Sequence, residues 1–304
     1  MKELVVISGK GGTGKTSIVA SFAALAENAV LADCDVDAAD LHLVLEPRIV
    51  QRSAFSGGSR ARIKSSNCTA CGKCEEVCRF DAVEHVGPSN GRVDKTFFID
   101  PIACEGCGVC ARFCDEDAIE FAPADNGTWY ISNTRLGPMV HAKLGVAEEN
   151  SGKLVSLVRS EAKKLANQRN RDLLIIDGSP GIGCPVIASI TGADLALVVT
   201  EPTLSGLHDL DRVAQLTKHF GVLAMVCVNK WDLNAELTGE IEANACRLGV
   251  ETVGRVRYDR AVTEAQIKQR ALVEYSEEGA ALDIMDLWSR VSAKFDQLSP
   301  LAIL

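Results

Sequence analysis

Eight of the twelve cysteines in this 304-residue chain fall into two runs with the same spacing, C-x-x-C-x-x-C-x-x-x-C. The runs supply Cys68, Cys71, Cys74 and Cys78, and then Cys104, Cys107, Cys110 and Cys114. Three cysteines at this spacing let one tight loop wrap around an iron–sulfur cube, and a fourth thiolate completes the ligand set. The pattern therefore predicts two [4Fe–4S] clusters. Zinc sites or plain buried cysteines are the alternatives, although zinc ligands usually come as separated pairs.

A second reactive motif occupies residues 9–16, which read G-K-G-G-T-G-K-T. Such a loop turns its backbone N–H groups toward phosphate oxygens, and the helix that follows adds its positive N-terminus. The motif predicts that Lys15 reaches the β- and γ-phosphates of a nucleotide and that the Thr16 hydroxyl binds Mg²⁺. The other residues predicted to contact the nucleotide here are Gly11, Gly12, Thr13, Gly14 and Ser17.

The elements around this motif alternate between strands and helices. The predicted strands cover residues 4–8, 30–33, 173–176, 195–199, 223–228 and 252–256. The predicted helices cover residues 15–27, 154–168, 206–219, 236–248, 260–270 and 279–297. Apolar runs of strand length between amphipathic helices predict an α/β fold, here a P-loop NTPase-type parallel sheet flanked by helices.

The cysteine runs interrupt this alternation. Residues 52–66 are small and polar around a Ser-Gly-Gly-Ser stretch, which predicts a linker. We therefore predict a discontinuous P-loop domain of residues 1–51 and 136–304, and a small inserted α+β domain of residues 52–135. Surface loops tolerate such insertions.

The insertion contains an internal repeat, since residues 68–83 align with residues 104–119 at an offset of 36. This duplicated unit resembles a two-cluster bacterial ferredoxin, in which the last cysteine of each run binds the other cluster. The resemblance implies two crossed ligand sets, Cys68, Cys71, Cys74 and Cys114 for one cluster and Cys104, Cys107, Cys110 and Cys78 for the other. Arg79 and Asp115 stand where the usual run continues with proline. Because proline is not a ligand, we expect ligation to survive.

The nucleotide motif also carries an additional lysine, Lys10, and K-G-G-x-G-K-T resembles the deviant Walker A motif of the MinD/ParA superfamily of ATPases. The resemblance implies that Lys10 reaches the partner's phosphates in a nucleotide-bound dimer, where it neutralises charge as an arginine finger does. Asp35 lies in a segment that resembles switch I, which implies that it orients the attacking water. Asp177 ends an apolar strand that resembles the Walker B strand, which implies that it holds Mg²⁺ through water.

Further segments extend the resemblance to MinD-superfamily ATPases that carry an inserted ferredoxin domain. Residues 148–152, 178–185 and 200–206 resemble the signatures of that group. Asn229 opens the sequence N-K-W-D, and an Asn at this place contacts adenine in the superfamily. The same letters fit the guanine-reading N-K-x-D of GTPases, so ATP is favoured and GTP stays open.

Four cysteines remain outside the two runs. Cys184 lies seven residues after Asp177, where the related nitrogenase iron protein holds a subunit-bridging cluster. That protein's second ligand has no counterpart here, so a transient metal or redox role and a buried structural thiol both stay open. Cys34, Cys227 and Cys246 occupy apolar or helical settings and are predicted to be core residues.

The net charge of −9 argues against a nucleic-acid surface and against binding to an anionic membrane. No apolar run reaches the length of a membrane span, and the chain opens directly on a strand with no signal-peptide pattern. We therefore expect a cytoplasmic protein. Thiols are kept reduced there, which favours metal ligation over disulfides.

Together these features predict an ATP-dependent dimeric switch that carries two [4Fe–4S] clusters. It would couple ATP binding and hydrolysis to metal–sulfur cofactor assembly or to maturation of a client metalloprotein. The alternatives are an ATP-gated low-potential electron donor and a non-catalytic electron carrier or scaffold. The expected cofactors are ATP, Mg²⁺ and the clusters. The expected partners are a second copy or a paralogue, together with a client metalloprotein or redox partner.

Overall fold

The computed structural model describes residues 1–145 and 152–298. The chain divides into two compact units. The first, here called the sheet unit, comprises Met1–Ser53, Trp129–Lys143 and the described residues of Asn150–Leu304. The second, here called the cysteine unit, comprises Ala54–Thr128 and the described residues of Leu144–Glu149.

Thirteen strands are present in the described part of the chain. They are β1 (Lys2–Ser8), β2 (Ala29–Asp33), β3 (Arg48–Phe55), β4 (Ser59–Ile63), β5 (Val83–Gly87), β6 (Thr96–Ile99), β7 (Ile119–Pro123), β8 (Gly127–Thr134), β9 (Gly137–Leu144), β10 (Leu173–Pro180), β11 (Leu195–Thr200), β12 (Leu223–Asn229) and β13 (Glu251–Val256).

The α-helices of the described residues are α1 (Lys15–Leu25), α2 (Leu41–Leu45), α3 (Lys73–Glu76), α4 (Val109–Arg112), α5 (Lys153–Gln168), α6 (Cys184–Ile190), α7 (Leu204–His219), α8 (Ala235–Arg247), α9 (Ala261–Ile267), α10 (Leu272–Tyr275) and α11 (Ala280–Gln297). The predicted long helices are found within about two residues of their expected ends, a usual uncertainty. The exception is the helix predicted at 260–270, which is the short helix α9 followed by a break before α10.

Nine of the strands form one sheet in the order β13-β12-β11-β1-β10-β2-β9-β8-β3. The neighbouring pairs from β13 to β9 are all parallel. The central strands are buried along nearly their whole length, which explains why they read as continuous apolar runs. This sheet, flanked by helices, confirms the predicted α/β fold.

The register of the sheet brings acidic residues together at one edge. Asp177 near the end of β10 pairs with Asp33 at the end of β2. Both strands run in the same direction, so both carboxylates lie at the carboxyl edge of the sheet, where open α/β sheets bind their ligands. A core of strand and helix side chains supports this edge, including the ring contact between Phe22 of α1 and Trp288 of α11, whose centroids lie 4.9 Å apart.

The cysteine unit contains two antiparallel strand pairs, β4 with β7 and β5 with β6. Its own small core includes Ala82, Ile99, Ile119 and several cysteines. The short helices α3 and α4 each begin directly after a glycine in the left-handed region, Gly72 and Gly108. The unit therefore has local structure and a core of its own.

The predicted linker at residues 52–66 is wrong. Most of this segment forms the end of β3 and all of β4. The residues of β3 are mainly exposed and β3 ends the strand order of its sheet, so pairing rather than burial makes it a strand. Residues 129–134, assigned to the insertion from the sequence, lie in β8 of the nine-stranded sheet.

No helix in the described ranges is both long enough and apolar enough to cross a membrane.

Candidate functional site

The loop between β1 and α1 depends on glycine at two positions. Gly12 and Gly14 have φ angles of +79° and +85°, in the left-handed region that glycine adopts most readily. A Cβ atom on Gly14 would also lie only 2.4 Å from Nδ2 of Asn229. Gly14 is the residue that precedes α1, so this close approach fixes where the helix N-terminus begins.

This loop forms one side of a cavity in the sheet unit. Its lining residues are Ser8, Gly11, Gly12, Thr13, Gly14, Lys15, Thr16, Ser17, Asp35, Ala38, Asp40, Pro180 and Gln266. The whole predicted phosphate-binding set from residue 11 to residue 17 thus lies on one cavity, together with the predicted water-orienting residue Asp35. Asp40 and Gln266 were not predicted, and Gln266 donates a hydrogen bond to the Ser17 hydroxyl at 2.9 Å.

Lys15 is buried among carboxylates at the floor of this cavity. Its ammonium group forms ion pairs with Asp177 and, at 3.3 Å, with Asp35. Burial is the largest influence on the pKa of Lys15 and lowers it, but Asp177 and Asp35 together raise that pKa to about 12. Lys15 is therefore a fixed positive charge, as a phosphate-binding group must be.

The acidic residues outnumber this one cation. Burial and the neighbouring Asp177 raise the pKa of Asp33 well above its usual range. Burial also raises the pKa of Asp35, against the opposing effect of Lys15. One oxygen of Asp35 and one of Asp177 are buried without a hydrogen-bond partner, as is the Thr13 hydroxyl. Unpaired carboxylate oxygens of this kind suit a hard cation such as Mg²⁺, which takes oxygen ligands.

Lys10 is held by its own chain and is not among the cavity-lining residues of the described structure. Its Nζ lies 2.5 Å from Oε1 of Glu201 and donates hydrogen bonds to Thr203 at 3.2 Å and Ser205 at 3.0 Å. The other oxygen of Glu201 contacts Lys230 at 3.3 Å. Burial tends to raise the pKa of Glu201, but the hydrogen bonds from the two lysines outweigh it and lower that pKa.

Asn229 supports the loop. Its Nδ2 donates to the carbonyl of Thr13 at 2.7 Å, and the neighbouring Lys230 donates to the carbonyl of Gly12 at 3.1 Å. The end of β12 therefore supports the phosphate-binding loop from behind. A contact between Asn229 and adenine stays a prediction.

Two further contacts fix the loops at the carboxyl edge of the sheet. Asp33 accepts backbone hydrogen bonds from Asp35 and Leu41, each at 3.3 Å, and so shapes the segment after β2. The hydroxyl of Ser179 donates to the carbonyl of Cys34 at 2.6 Å. Asp33 could have been found from its position at a strand end, whereas Ser179 and Glu201 lie in the signature segments 178–185 and 200–206 but were given no role of their own.

The eight cysteines of the two runs line two separate cavities in the cysteine unit. The first is lined by Ile63, Cys68, Thr69, Cys71, Gly72, Lys73, Cys74, Phe97, Cys114, Glu116, Ala118 and Ile119. The second is lined by Ala61, Val77, Cys78, Phe80, Ala82, Val83, Ile99, Cys104, Glu105, Gly106, Cys107, Gly108, Val109 and Cys110. Each cavity thus gathers three cysteines of one run and the last cysteine of the other.

The two cavities are related by the internal sequence repeat. Every residue that lines the first cavity has a counterpart 36 positions away that lines the second. The correspondence extends beyond the cysteine runs into β4 and β6, where Ile63 matches Ile99 and Ala61 matches Phe97. The sequence repeat was recognised only from residue 68 onward, because the strand residues before it share little identity.

Four thiols on one cavity are the donor set that a [4Fe–4S] cube needs, one for each iron. Across residues 1–145 and 152–298, no group of three or more His, Cys, Asp or Glu side chains is arranged to hold a single metal ion. The four thiols that line each cavity are the residues that would hold such a cluster.

The remaining cysteines differ in exposure. Cys34 and Cys227 are fully buried, which confirms them as core residues, and burial raises the pKa of both thiols. Cys246 is exposed, so its assignment to the core is wrong: it lies on the outer side of α8. Cys184 begins α6 and is also exposed, which excludes a buried structural thiol. Residues 148–151 of the predicted signature lie outside the described residues.

The parallel sheet, the glycine loop and the Lys15 cavity define a P-loop nucleotide-binding protein. A family model described as the CobQ/CobB/MinD/ParA nucleotide binding domain matches residues 4–273. The chain belongs to this family.

Relatives and solved structures are consistent with this assignment. The uncharacterized protein MJ0578 of Methanocaldococcus jannaschii is 37% identical over 242 residues, which cover 76% of this chain and 79% of that protein. MJ0579 of the same organism is 26% identical over 288 residues, 91% of this chain and 94% of its own. The septum site-determining protein MinD of Pyrococcus horikoshii, complexed with Mg-ADP, has a TM-score of 0.55 at 18% identity, covering 99% of each chain. At that identity the similarity shows the fold alone.

Proposed function

We propose that this protein is an ATP-dependent dimeric switch that carries two [4Fe–4S] clusters and couples ATP binding and hydrolysis to metal–sulfur cofactor assembly or client metalloprotein maturation. The observation that carries the proposal is the presence, in one chain, of a P-loop cavity with a buried lysine and two equivalent cavities lined by four cysteines each. Neither kind of site alone would suggest coupling.

The nucleotide chemistry follows from the charges in the P-loop cavity. Lys15 now neutralises Asp35 and Asp177, and a triphosphate entering the cavity competes for the same ammonium group. When Lys15 turns to the phosphates, the carboxylates would need another cation, and Thr16 would hold a Mg²⁺ ion that supplies this charge. Asp35, on the cavity wall, is then free to orient a water molecule toward the γ-phosphate.

The proposal of a dimer rests on Lys10, which would act on the phosphates bound by a partner subunit. In the described structure its ammonium group is paired with Glu201 of its own chain, so action on a partner's phosphates requires this pair to open. Phosphate oxygens offer more negative charge than one carboxylate, so the change is favourable when a nucleotide-bound partner is present. The partner is a second copy of this chain or a paralogue. The two relatives in one organism support the paralogue as an alternative.

The test is an anaerobic preparation in which metal and nucleotide are both measured. We expect about eight irons and eight acid-labile sulfides per chain, ATP binding, and slow ATP hydrolysis. Lys15→Ala should reduce ATP binding at least about tenfold, while Lys10→Ala should leave binding intact and reduce hydrolysis by about 10³-fold or more, as expected for a charge-neutralising finger. Zinc without sulfide, or iron without nucleotide binding, would refute the proposal.

A second candidate function is ATP-gated delivery of low-potential electrons to a client enzyme. It is favoured by the exposed thiols Cys71 and Cys107, since an exposed ligand brings a cluster near the protein surface. The two functions separate when the purified client is offered. Electron transfer that needs ATP but leaves the iron content of the client unchanged supports the donor. Transfer of iron or a cluster to the apo-client supports maturation.

A further inference from the structure

The two cysteine cavities are equivalent in their thiols but not at their rims. Lys73 and Glu116 line the first cavity, and the residues 36 positions away on the second are Val109 and Phe80. Lys73 is also ion-paired with Asp115, so the first rim is charged and bridged across the two runs. The second rim replaces both lining charges with apolar side chains.

These apolar side chains are exposed. Phe80 and Val109 are 45% and 38% exposed, and Phe121 beside them is 44% exposed. The Phe121 ring lies against the turn at Gly108, where an added Cβ would approach the ring to 3.0 Å. We call Phe80, Val109 and Phe121 the apolar rim, and the exposed Cys107 shares its cavity with two of them. Exposed apolar side chains that cluster beside a site mark interaction surfaces.

We propose that the apolar rim is the docking surface for a separate electron-transfer protein whose contact face is apolar at its centre and ringed by lysine and arginine. This inference rests on the proposed function, because it requires a cluster bound by Cys78, Cys104, Cys107 and Cys110. Cys78, Cys104, Cys107 and Cys110 would hold that cluster, which in its reduced form would supply one electron to the redox centre of the partner and itself be oxidised. No proton or group is transferred.

The charge of the partner follows from the surroundings of the rim. Residues 54–128 contain twelve Asp and Glu against eight Lys and Arg, and bound thiolates add further negative charge. Glu105 lines the cavity and the exposed Asp81 follows Phe80, whereas the exposed Arg79 and Arg112 beside the rim offset this charge. The negative sign therefore comes from the unit as a whole and from the cluster that it would bind. Complementary charge directs encounter and excludes wrong partners. A second copy, with the same net charge of −9, fits this surface less well.

The repeat supplies a charge-neutral test. The double variant Phe80→Glu with Val109→Lys gives the second rim the residues of the first, and Lys73→Val with Glu116→Phe is the reciprocal control. Oxidised cytochrome c, a basic haem protein, serves as the probe. We expect the first variant to raise the Kd for cytochrome c at least about tenfold, because central apolar contacts are lost. Reduction of the haem by the pre-reduced protein should slow by a similar factor. The reciprocal variant keeps the apolar rim and adds two apolar side chains at the first cavity, so it should bind cytochrome c at least as tightly as the unmodified protein.

Iron and sulfide analysis of each variant separates this inference from the proposed function. If the unmodified protein holds no cluster, the proposed function fails. If all proteins hold their clusters and the two double variants bind cytochrome c equally well or equally poorly, the docking surface is refuted. Dissociation of a dimer by the first variant in sedimentation, without a probe, would instead show a contact between copies. Should that variant lose iron, Phe121→Gln gives an uncharged test of the same surface from outside the cavity lining.

Discussion

At the scale of single residues, the nucleotide cavity is an unbalanced cluster of charges. Lys15 faces Asp35 and Asp177 directly, and Asp33 lies beside Asp177 in the sheet. Three buried acids around one buried cation are costly without further positive charge, because burial disfavours each ionised carboxylate. The arrangement is therefore suited to a Mg²⁺-bound nucleotide rather than to the free protein.

Asp33→Asn should change the pH dependence of stability. The pKa of Asp33 is raised in the folded protein, so this group binds protons more tightly when folded, and stability falls as pH rises from its ordinary pKa toward the raised one. Asn is neutral throughout and loses at most one weak backbone hydrogen bond. Without nucleotide, the Tm of the variant minus that of the unmodified protein should increase as pH rises from 4.5 to 7.5. Each kcal/mol of stability that the unmodified protein loses over this range corresponds to about 2–4 °C in Tm.

Differential scanning fluorimetry across that pH range measures the effect on the transition that Mg-ATP shifts. Asp286→Asn, at an exposed position of α11, is the matched control and should show no such trend. A Tm difference between Asp33→Asn and the unmodified protein that does not vary with pH would contradict the buried-acid explanation.

Exposure should govern the reactivity of the four cysteines outside the runs. Cys184 and Cys246 are exposed, whereas burial raises the pKa of Cys34 and Cys227 and leaves little thiolate. In the native, iron-loaded protein we expect a maleimide to label Cys184 and Cys246 within minutes and the other two only after denaturation. Peptide mass spectrometry identifies the labelled sites, and rapid labelling of Cys34 in the native state would show that the fold around it is more open than described.

The sequence indicates candidate reacting groups but not the side chains that pair with them. Motif spacing identifies Lys10, Lys15 and the cysteines because those chemistries need fixed residue types at fixed intervals. The pairing of Lys10 with Glu201 depends on two loops 191 positions apart in the chain, and no local pattern records such a contact. Cys246 was assigned to the core from its helical setting, but it lies outside the buried face of α8, which carries Thr238, Ile241, Asn244 and Ala245.

At the scale of elements, the phosphate-binding loop is fixed by its neighbours as well as by its own glycines. Asn229 at the end of β12 fills the space beside Gly14 and binds the carbonyl of Thr13. The loop conformation is thus partly set by a strand that lies two positions away in the sheet order. Asn229 is therefore buried against the loop, and its contact with adenine stays a prediction.

Gly14→Ala tests this support. The left-handed φ should cost about 1–2 kcal/mol in stability for a residue with a Cβ, and the collision with Asn229 should add to it. Asn229→Ala alone should cost about 0.5–1.5 kcal/mol for the lost hydrogen bond. The double variant should be less destabilised than the sum, because the collision disappears with the Asn side chain. Urea unfolding of the four proteins measures the coupling, and strict additivity would rule out direct contact.

Strands in the middle of the sheet could be predicted and those at one end could not. β1, β2, β10, β11 and β12 are buried, so their apolar runs are visible in the sequence. β3 at the edge has mostly exposed residues and is held by backbone pairing, which leaves no hydrophobic pattern. The glycines and serines after it then suggested a linker where the chain continues into β4.

At the scale of the whole molecule, the two units have separate cores and separate candidate sites. The core of the cysteine unit is small and includes the thiols themselves. The proposed clusters would replace much of the apolar core that so small a unit lacks, so its folding should depend on iron. The sheet unit has a large apolar core and no such dependence.

Removal of iron should therefore change one unfolding transition and not the other. Calorimetry of the loaded protein should resolve two transitions, as separate units allow. Chelation of the iron under oxidising conditions should abolish the transition of the cysteine unit or strongly lower its Tm. Mg-ATP should raise the Tm of the sheet unit alone, because ligand at a hundredfold excess over Kd stabilises the fold that binds it by roughly 2.7 kcal/mol. A single transition that iron removal and Mg-ATP both shift would show that the two units unfold as one.

The hydrogen bond from Ser179 to the carbonyl of Cys34 has one more consequence. It ties the end of β10 to the segment that leaves β2, and Asp177 of β10 and Asp35 of that segment are the acids that pair with Lys15. Neither segment can be displaced without stretching this link or moving the other. Departure of a cleaved phosphate would thus be transmitted outward as one concerted displacement, in place of two independent ones.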